Sequence, residues 1–366
     1  MNRPGGGVVF LALDTWSRLG GMQAFNRRVA ASLADIAAAA GDPTPRIHVL
    51  RDIDEDMPND VRAEMKGFGT DRIGFAFASL RAANRADTLL LGHINLLPLG
   101  WLAKAFRPRL RLILFVHGIE VWGDPAYRRR RCYERALLRA VDRVASVGRE
   151  TARIMAERFN VPASRFAILP NAVDGPINLK PAWPQKPVFL CVTRMEAHDH
   201  GKNIDKLLQA FALLPQDVEA ALEIVGDGAL RPRLQALSGT LEGSERVRFL
   251  GRVSDGERDK AYRRASAFVL PSAKEGFGIV YLEAWKHGLP VICGHSGGAR
   301  DIVTDGEDGL VVDPENVADL ASSMYRLAAN PGCAAAMGKK GAQKLKASYL
   351  DDSFRKNLAQ LLAGAL

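Results

Sequence analysis

Cysteine is scarce. The 366 residues hold four, Cys132, Cys191, Cys293 and Cys333, far apart and without a CxxC pair or Cys/His cluster around any of them. That excludes a disulfide-stapled scaffold and offers neither a zinc site nor a redox pair; so few thiols in so long a chain fit a reducing compartment. Long apolar runs are also missing. A membrane-spanning helix needs about 20 apolar residues, and the nearest approach, over 88–103, is interrupted by His93, Asn95, Pro98 and Gly100. The first apolar run, over 8–13, is too short for a signal peptide and ends in Asp14. The sequence is therefore expected to be soluble or to lie on a membrane surface. No strand is followed by a full GxGxxG fingerprint, which argues against a dinucleotide-dependent dehydrogenase.

What remains is an ordinary globular balance, 47% hydrophobic and 25% charged, in a chain long enough for roughly two domains. The net charge of +9 is unevenly placed. Residues 1–180 hold 27 basic and 18 acidic residues, and the rest hold 23 of each. One half is thus expected to meet something anionic.

Short continuous apolar runs alternate with helical-period segments. In the first half the runs fall at 8–13, 46–50, 88–91, 110–116, 143–147 and 166–169; in the second, at 188–193, 222–225, 247–250, 267–270, 290–293 and 310–312. Helical patterns occupy 22–40 and 129–141. Apolar strands separated by helices predict parallel sheets covered on both faces. Between the halves, 175–187 carries Pro176, Pro181, Pro184 and Pro187 and reads as a linker. We expect an α/β protein of two doubly wound, Rossmann-like domains, 1–178 and 179–348, with ligands in the cleft between them, and a helical segment over 349–366 closing back on the first domain.

The strongest local signal is Glu275-Gly276-Phe277-Gly278-Ile279-Val280-Tyr281-Leu282-Glu283, directly after a strand. Its glycines let backbone approach a ligand and open a helix whose first N–H groups favour phosphate. Glu275 and Glu283 flank that turn and cannot both want phosphate, so hydroxyls on either side of a diphosphate, as in a nucleotide sugar, suit them. A capping acid and a surface glutamate at a plain strand–turn–helix junction would look the same. Arg194, at another strand end, and Lys202, on the loop after it, can neutralise a diphosphate leaving group; solvated charges are the alternative. In the first half Leu19-Gly20-Gly21-Met22 opens a helix, and His117 stands at a strand end. Gly226-Asp227-Gly228 and Gly251-Arg252-Val253 are further glycine turns.

In this order, with Gly297-Gly298 and the phrases Pro170-Asn171-Ala172-Val173-Asp174, Gly288-Leu289-Pro290-Val291-Ile292 and Asp305-Gly306-Glu307-Asp308-Gly309-Leu310, the sequence resembles the retaining GT-B glycosyltransferases of glycosyltransferase family 4. The hallmark is two glutamates separated by seven residues, here Glu275 and Glu283. The resemblance spans nearly the whole chain and is looser in the first half. It implies that the second domain holds a UDP- or GDP-hexose. Arg194 and Lys202 would contact the diphosphate; Glu275 and the backbone of Gly276, Phe277, Gly278 and Ile279 would contact sugar and phosphate. Glu283 would bind the ribose, and Arg252 and Val253 would lie near the base. Gly21 and His117 would approach sugar and phosphate from the first domain, which otherwise takes the acceptor. Retention by front-face attack, with no protein nucleophile, no metal and no cofactor beyond the donor, is implied as well. The stretch from Met195 to Gly201 is longer than in many members and is similar to a subgroup with a long charged loop there. The Gly20-Gly21 site has no charged residue following it.

Metal-dependent glycosyltransferases of the other large fold use a DxD motif. Asp52-Ile53-Asp54 and Asp54-Glu55-Asp56 lie in an acidic loop over 52–60 without matching context and read as a solvated charge run. A nucleic-acid-binding protein is the rival from another class: Arg128, Arg129, Arg130, Arg131, Arg135, Arg139 and Arg143 read as a basic helix, and 104–165 holds 15 basic against six acidic residues. The same stripe suits an anionic bilayer, or a solvated face paired with Glu134 and Asp142. The membrane is favoured by the resemblance, since many members glycosylate lipid-linked acceptors. The expected enzyme is a cytoplasmic hexosyltransferase, peripheral on the inner membrane face, acting on a lipid-linked intermediate of bacterial surface polysaccharide; a soluble acceptor is the alternative.

Overall fold

The computed structural model describes residues 7–18, 20–125, 127–178 and 183–366. Residues 1–6, Leu19 of the glycine-pair segment, the expected boundary residue 179 and Pro181 of the linker lie outside the described residues. The chain divides into two units. One runs to Ala172 and takes back Asp351–Leu366; the other is Val173–Leu350. The change of unit falls at Ala172, directly after Pro170-Asn171, and so before the proline-rich stretch. All of the +9 belongs to the first unit, with 28 basic and 19 acidic residues against 22 of each in the second.

The first unit is built on seven strands, β1 Val8–Ala12, β2 Arg46–Val49, β3 Glu64–Gly67, β4 Thr88–Leu91, β5 Arg111–Val116, β6 Arg143–Ser146 and β7 Phe166–Ile168, ordered β3-β2-β1-β4-β5-β6-β7. The second has six, β8 Val188–Val192, β9 Ala221–Val225, β10 Val247–Gly251, β11 Ala267–Leu270, β12 Val291–Gly294 and β13 Gly309–Val312, ordered β10-β9-β8-β11-β12-β13. Every pairing is parallel. Central strands such as Thr88–Leu91 and Ala267–Leu270 are buried at every position, so each residue is apolar or hydrogen-bonded. Strand order reverses beside β1 and beside β8, which is where parallel sheets open a crevice beyond their carboxyl ends.

The edge strand β3 had no apolar run to announce it. Its sequence, Glu-Met-Lys-Gly, is half exposed, and it forms because it pairs with β2, Arg46 opposite Glu64 with their side chains 2.6 Å apart. The helix Gly21–Ala40 buries Phe25, Val29, Ala30 and Leu33 at helical spacing and stops at Gly41 in the left-handed conformation. Against it packs the last helix, Asp351–Ala363, through Phe354, Leu358 and Leu361, with the Phe25 and Phe354 rings 5.4 Å apart and Arg28 paired to Asp351. Each of those three apolar side chains contributes about 2 kcal/mol at most, so the closing helix is held firmly.

Two expectations are overturned. The basic helix over 129–141 is not formed: only Glu134–Leu137 is α-helical, followed by a 3-10 turn at Leu138–Ala140. Arg128 turns inward to Glu134, which is 1% exposed, and to Asn95 Oδ1, while Arg130 and Arg135 both donate to the Arg158 carbonyl. These tertiary partners compete with a regular helix, so the arginines, of which Arg129, Arg130, Arg131, Arg135 and Arg139 stay exposed, do not line up as one helical stripe. The second, the solvated acidic run over 52–60, is overturned only at its first residue: Asp54, Glu55, Asp56 and Asp60 are exposed, and Asp52 is not. Asp52 is fully buried and accepts hydrogen bonds from the Thr15 and Trp16 amides and the Ser17 hydroxyl, at 3.1, 2.7 and 2.6 Å.

His48, on β2, lies 3.0 Å from the Ser79 hydroxyl, and His93 accepts from the Asn95 amide. Burial, reinforced for His48 by Lys66 and Arg46, pushes both imidazoles down to about 4. They are neutral in the fold but charge in the unfolded chain below about 6.5, so stability present at neutral pH is lost as pH falls from there toward 4. By pH 5 the loss is about 2 kcal/mol per histidine. Replacing both in His48→Asn/His93→Asn should flatten the dependence of the urea midpoint between pH 7 and 5; an unchanged slope would refute these assignments.

Candidate active site

In the second unit the loops after β8 and β11, the strands beside the order reversal, are laced together. The loop after β8 carries Arg194, then a 3-10 turn at Asp199–Lys202. The Lys202 ammonium lies 2.7 Å from a Glu275 carboxylate oxygen, with both side chains about 15% exposed (15% and 16%). The Ala273 amide and the Ser272 hydroxyl both donate to the Gly201 carbonyl, at 2.8 and 3.2 Å. Asn203, in the left-handed conformation, donates from Nδ2 to the carbonyls of Pro271 and Pro314, tying in the loop after β13. Arg194 is more open, 60% exposed, with buried Asp199 3.7 Å away. A paired carboxylate and ammonium at the mouth of two loops can receive hydroxyl donors on one side and phosphate oxygens on the other.

The helix Ile279–Lys286 starts from Gly278 at φ 98° with no side-chain cap, leaving its first amides for a ligand. Phe277 is buried against Tyr349, rings 6.2 Å apart, so that residue offers backbone only. Behind the turn, the Gly298 amide donates to the Glu275 carbonyl at 2.7 Å, and a Cβ on Gly298 would stand 2.5 Å from the Gly276 carbonyl. Glu283, a little over one turn into the helix, accepts from the Tyr262 hydroxyl at 2.9 Å and has Arg258 at 3.7 Å. Its side chain keeps 24% of its surface open, yet burial raises its carboxyl above the usual range, against the pull of Arg258 and the Tyr262 hydrogen bond. Tyr262 is itself fixed between Phe268 and His287, stacked on the latter at 5.5 Å and 4°. Arg252 and Val253 follow β10; Arg252 is exposed.

In the first unit, Asp14 binds Gln23 and, at 2.7 Å, Arg51, so the loop between β1 and the helix Gly21–Ala40 is held from both sides. Gly20 precedes that helix without a side-chain cap. A Cβ on Gly21 would meet nothing within 4 Å among the described residues, which leaves the approach to the helix start open. His117 follows β5. Its Nε2 lies 3.3 Å from the Gly92 carbonyl, its ring meets the Phe25 ring edge-on at 4.8 Å, and burial lowers its pKa, giving a neutral imidazole at neutral pH. Its amide donates to Oε1 of Glu120, a residue 3% exposed whose Oε2 has no hydrogen-bond partner among the described residues.

Among the sequence candidates, the second unit brings together Arg194, Lys202, Glu275, Gly276, Phe277, Gly278, Ile279 and Glu283 on one connected set of loops, with Arg252 and Val253 on the loop after β10. In the first unit Gly21 opens the helix after β1, and His117 follows the end of β5. Residues missed from sequence were Tyr262, Arg258, Asp14 and Glu120. Only a capping box at Ser254 and Glu257 marked the helix Asp255–Arg264 that carries Tyr262 and Arg258. The two buried thiols are inert: burial pushes Cys191 up to about 12 and raises Cys293 as well.

Residues 179–344 match the family model described as Glycosyl transferases group 1, and residues 35–175 match that of Glycosyltransferase Family 4. A GDP-mannose-dependent alpha-(1-6)-phosphatidylinositol monomannoside mannosyltransferase of Mycolicibacterium smegmatis is 32% identical over 285 residues, 73% of either chain. In fold, the chain is similar to Anabaena Alr3699/HepE, solved with UDP and glucose, at TM-score 0.77 and 18% identity over 98% of this chain and 100% of that one. It is likewise similar to sucrose-phosphate synthase from Thermosynechococcus elongatus, at 0.78 and 21%, covering 98% of each chain.

Gly226, in a turn, and Gly256, in a helix, should respond differently to a Cβ. Gly226 has φ 134°, and a Cβ there would lie 1.7 Å from the Thr193 carbonyl. Gly226→Ala should therefore cost about 3 kcal/mol through backbone strain and the separation of two loops. Gly256→Ala, where a Cβ meets nothing within 4 Å inside the helix Asp255–Arg264, should be neutral or slightly stabilising. Urea midpoints of the two variants compared with the parent decide it, and equal midpoints would contradict the close approach.

Proposed function

Because the chain belongs to glycosyltransferase family 4, we propose that this glycosyltransferase moves a hexose, with retention of anomeric configuration, from a UDP- or GDP-sugar to a hydroxyl of a lipid-linked acceptor in bacterial surface polysaccharide synthesis. The observation that carries the donor half is the 2.7 Å Lys202–Glu275 pair, set between the switch-point loops and ahead of an uncapped helix start. The donor diphosphate lies against Arg194, Lys202 and the amides from Gly276 to Ile279, with charge developing on its departing oxygen stabilised by the two cations. Glu275 accepts from the hexose hydroxyls. Glu283, presented by Tyr262, accepts from the ribose, and the base lies toward Arg252 and Val253. In the first unit we assign Gly21 and His117 to ligand contact, His117 as a neutral hydrogen-bonding group.

In the transfer step the bond from the anomeric carbon to the leaving phosphate oxygen breaks, and the bond to the acceptor oxygen forms on the same face. The acceptor proton passes to the departing phosphate. No protein nucleophile is used, and the cations at Arg194 and Lys202 serve in place of a metal. Three observations support the acceptor half: the +9 confined to the first unit, a relative named for a phosphatidylinositol mannoside acceptor, and the absence among the described residues of any helix long and apolar enough to cross a membrane, which fits attachment at the surface.

Nucleotide release measured across UDP- and GDP-sugars, GDP-mannose first, tests the donor. Glu275→Ala and Lys202→Ala should each lower kcat about 100-fold, with Arg194→Ala smaller because that side chain is more solvated. Full activity in Glu275→Ala would sink the assignment. Tyr262→Phe should weaken donor binding about tenfold with little change in kcat. Donor affinity should also fall as pH drops through the raised carboxyl of Glu283, since the protonated acid is a poorer acceptor for two hydroxyls. Calorimetric titration with the nucleotide reads both effects.

A further inference from the structure

Seven large apolar side chains are exposed among the described residues; Ile53, Leu213 and Tyr325 lie apart, and the other four gather. Among the described residues Ile73, Phe77 and Phe106 are 84%, 70% and 71% exposed, and Trp101 46%. All four lie on two helices of the first unit that pack on each other, Arg72–Ala83 and Leu97–Phe106. On the first of these, Ile73, Phe77, Leu80 and Asn84 recur at helical spacing on one face. A groove lined by Leu80, Asn84, Ala103 and Phe106 joins that face to the second helix. Scattered single apolar residues need no explanation; an exposed aromatic face across two helices does.

The charge around it is one-sided. Arg72, Arg81, Arg85 and Arg109 are exposed and form no ion pair among the described residues. Lys104 and Arg107 are neutralised by Asp142 and Asp87, and Asp71 is occupied as the helix cap. We propose that this face, Ile73–Phe77–Phe106 with its arginine border, is the surface on which the enzyme docks to an anionic bilayer. Aromatic and branched side chains enter the headgroup boundary while arginines meet lipid phosphates. A second copy of the chain seated on the same patch would bring a second set of arginines against the first, which disfavours self-association. The surface differs from the arginine-rich stretch around Arg128, whose side chains are partly engaged with Glu134, the Arg158 carbonyl and the Tyr133 and Phe159 rings. Ile73 stands in the first turn after β3, at the carboxyl end of the sheet, whereas Phe106 ends the helix that returns to the start of β5, so the face runs the length of both helices along one flank of the sheet. Docking along that flank brings the first unit to the lipid surface that carries the lipid-linked acceptor proposed above, on which this inference rests.

Sedimentation with vesicles of phosphatidylcholine alone, and of phosphatidylcholine with phosphatidylglycerol, tests the surface on the full chain. The parent should sediment with the anionic vesicles, and less so in high salt. Phe77→Glu/Phe106→Glu should reduce that partition about tenfold or more. Arg81→Gln/Arg85→Gln should reduce it about tenfold on anionic vesicles only. All four positions are exposed and outside the proposed site, so both variants should keep the parental rate of donor hydrolysis, which also reports folding. If the parent binds neither vesicle, the surface and the membrane part of the proposed function fall together. If parent and variants bind alike, the surface alone is wrong. If light scattering shows a dimer that Phe77→Glu/Phe106→Glu splits, with no loss of vesicle binding, the patch is a protein interface and the proposal is overturned.

Discussion

Parallel strands with both faces covered leave no polar side chain a cheap position inside the sheet. Every residue of Thr88–Leu91 or Ala267–Leu270 is buried, so hydrogen-bonding chemistry is driven to the loops that leave the carboxyl ends. The rest of each unit follows from that constraint. Neighbouring loops converge where strand order reverses, and there they must satisfy one another's backbone groups. In the second unit this is done by Asn203, by Ser272 and Ala273 on the Gly201 carbonyl, and by the Lys202–Glu275 pair. The same contacts that close the loops also fix the charged groups facing outward.

The half-buried Lys202–Glu275 pair is costly to assemble, because two charges are partly desolvated. A structural bridge of that kind gains little over an apolar pair. Its retention at a loop mouth, together with an uncapped helix start and a glutamate held by a buried tyrosine, is what turns a folding detail into a functional argument. The glycines work in the same sense. Gly226 and Gly298 are demanded by backbone packed against them, whereas a Cβ on Gly21 would meet nothing within 4 Å among the described residues.

The two units share an architecture but divide the charge. The second is electrically balanced, with Arg194 and Lys202 placed on the loop after β8. The first holds the excess, and part of that excess borders an exposed aromatic face on its helices. Net charge alone pointed to the arginine-rich stretch after Tyr127; side-chain pairing moved the weight of the argument to Arg72, Arg81, Arg85 and Arg109.

Strand positions, the parallel class and the glutamate pair with its glycine turn were legible in the residues themselves, because buried parallel strands require continuous apolar runs and because phosphate-approaching turns require glycine. The polar edge strand Glu64–Gly67 was not legible, since only pairing with Arg46–Val49 makes it a strand. The arginine segment has helical composition but tertiary partners that compete with a helix, and Asp52 looks solvated in sequence yet anchors Thr15 and Trp16 in the interior. Tyr262 reaches Glu283 across 21 residues of chain. Local chemistry is written locally; which distant group completes it is decided by the packing that brings helices and loops from separate βα units to the same place.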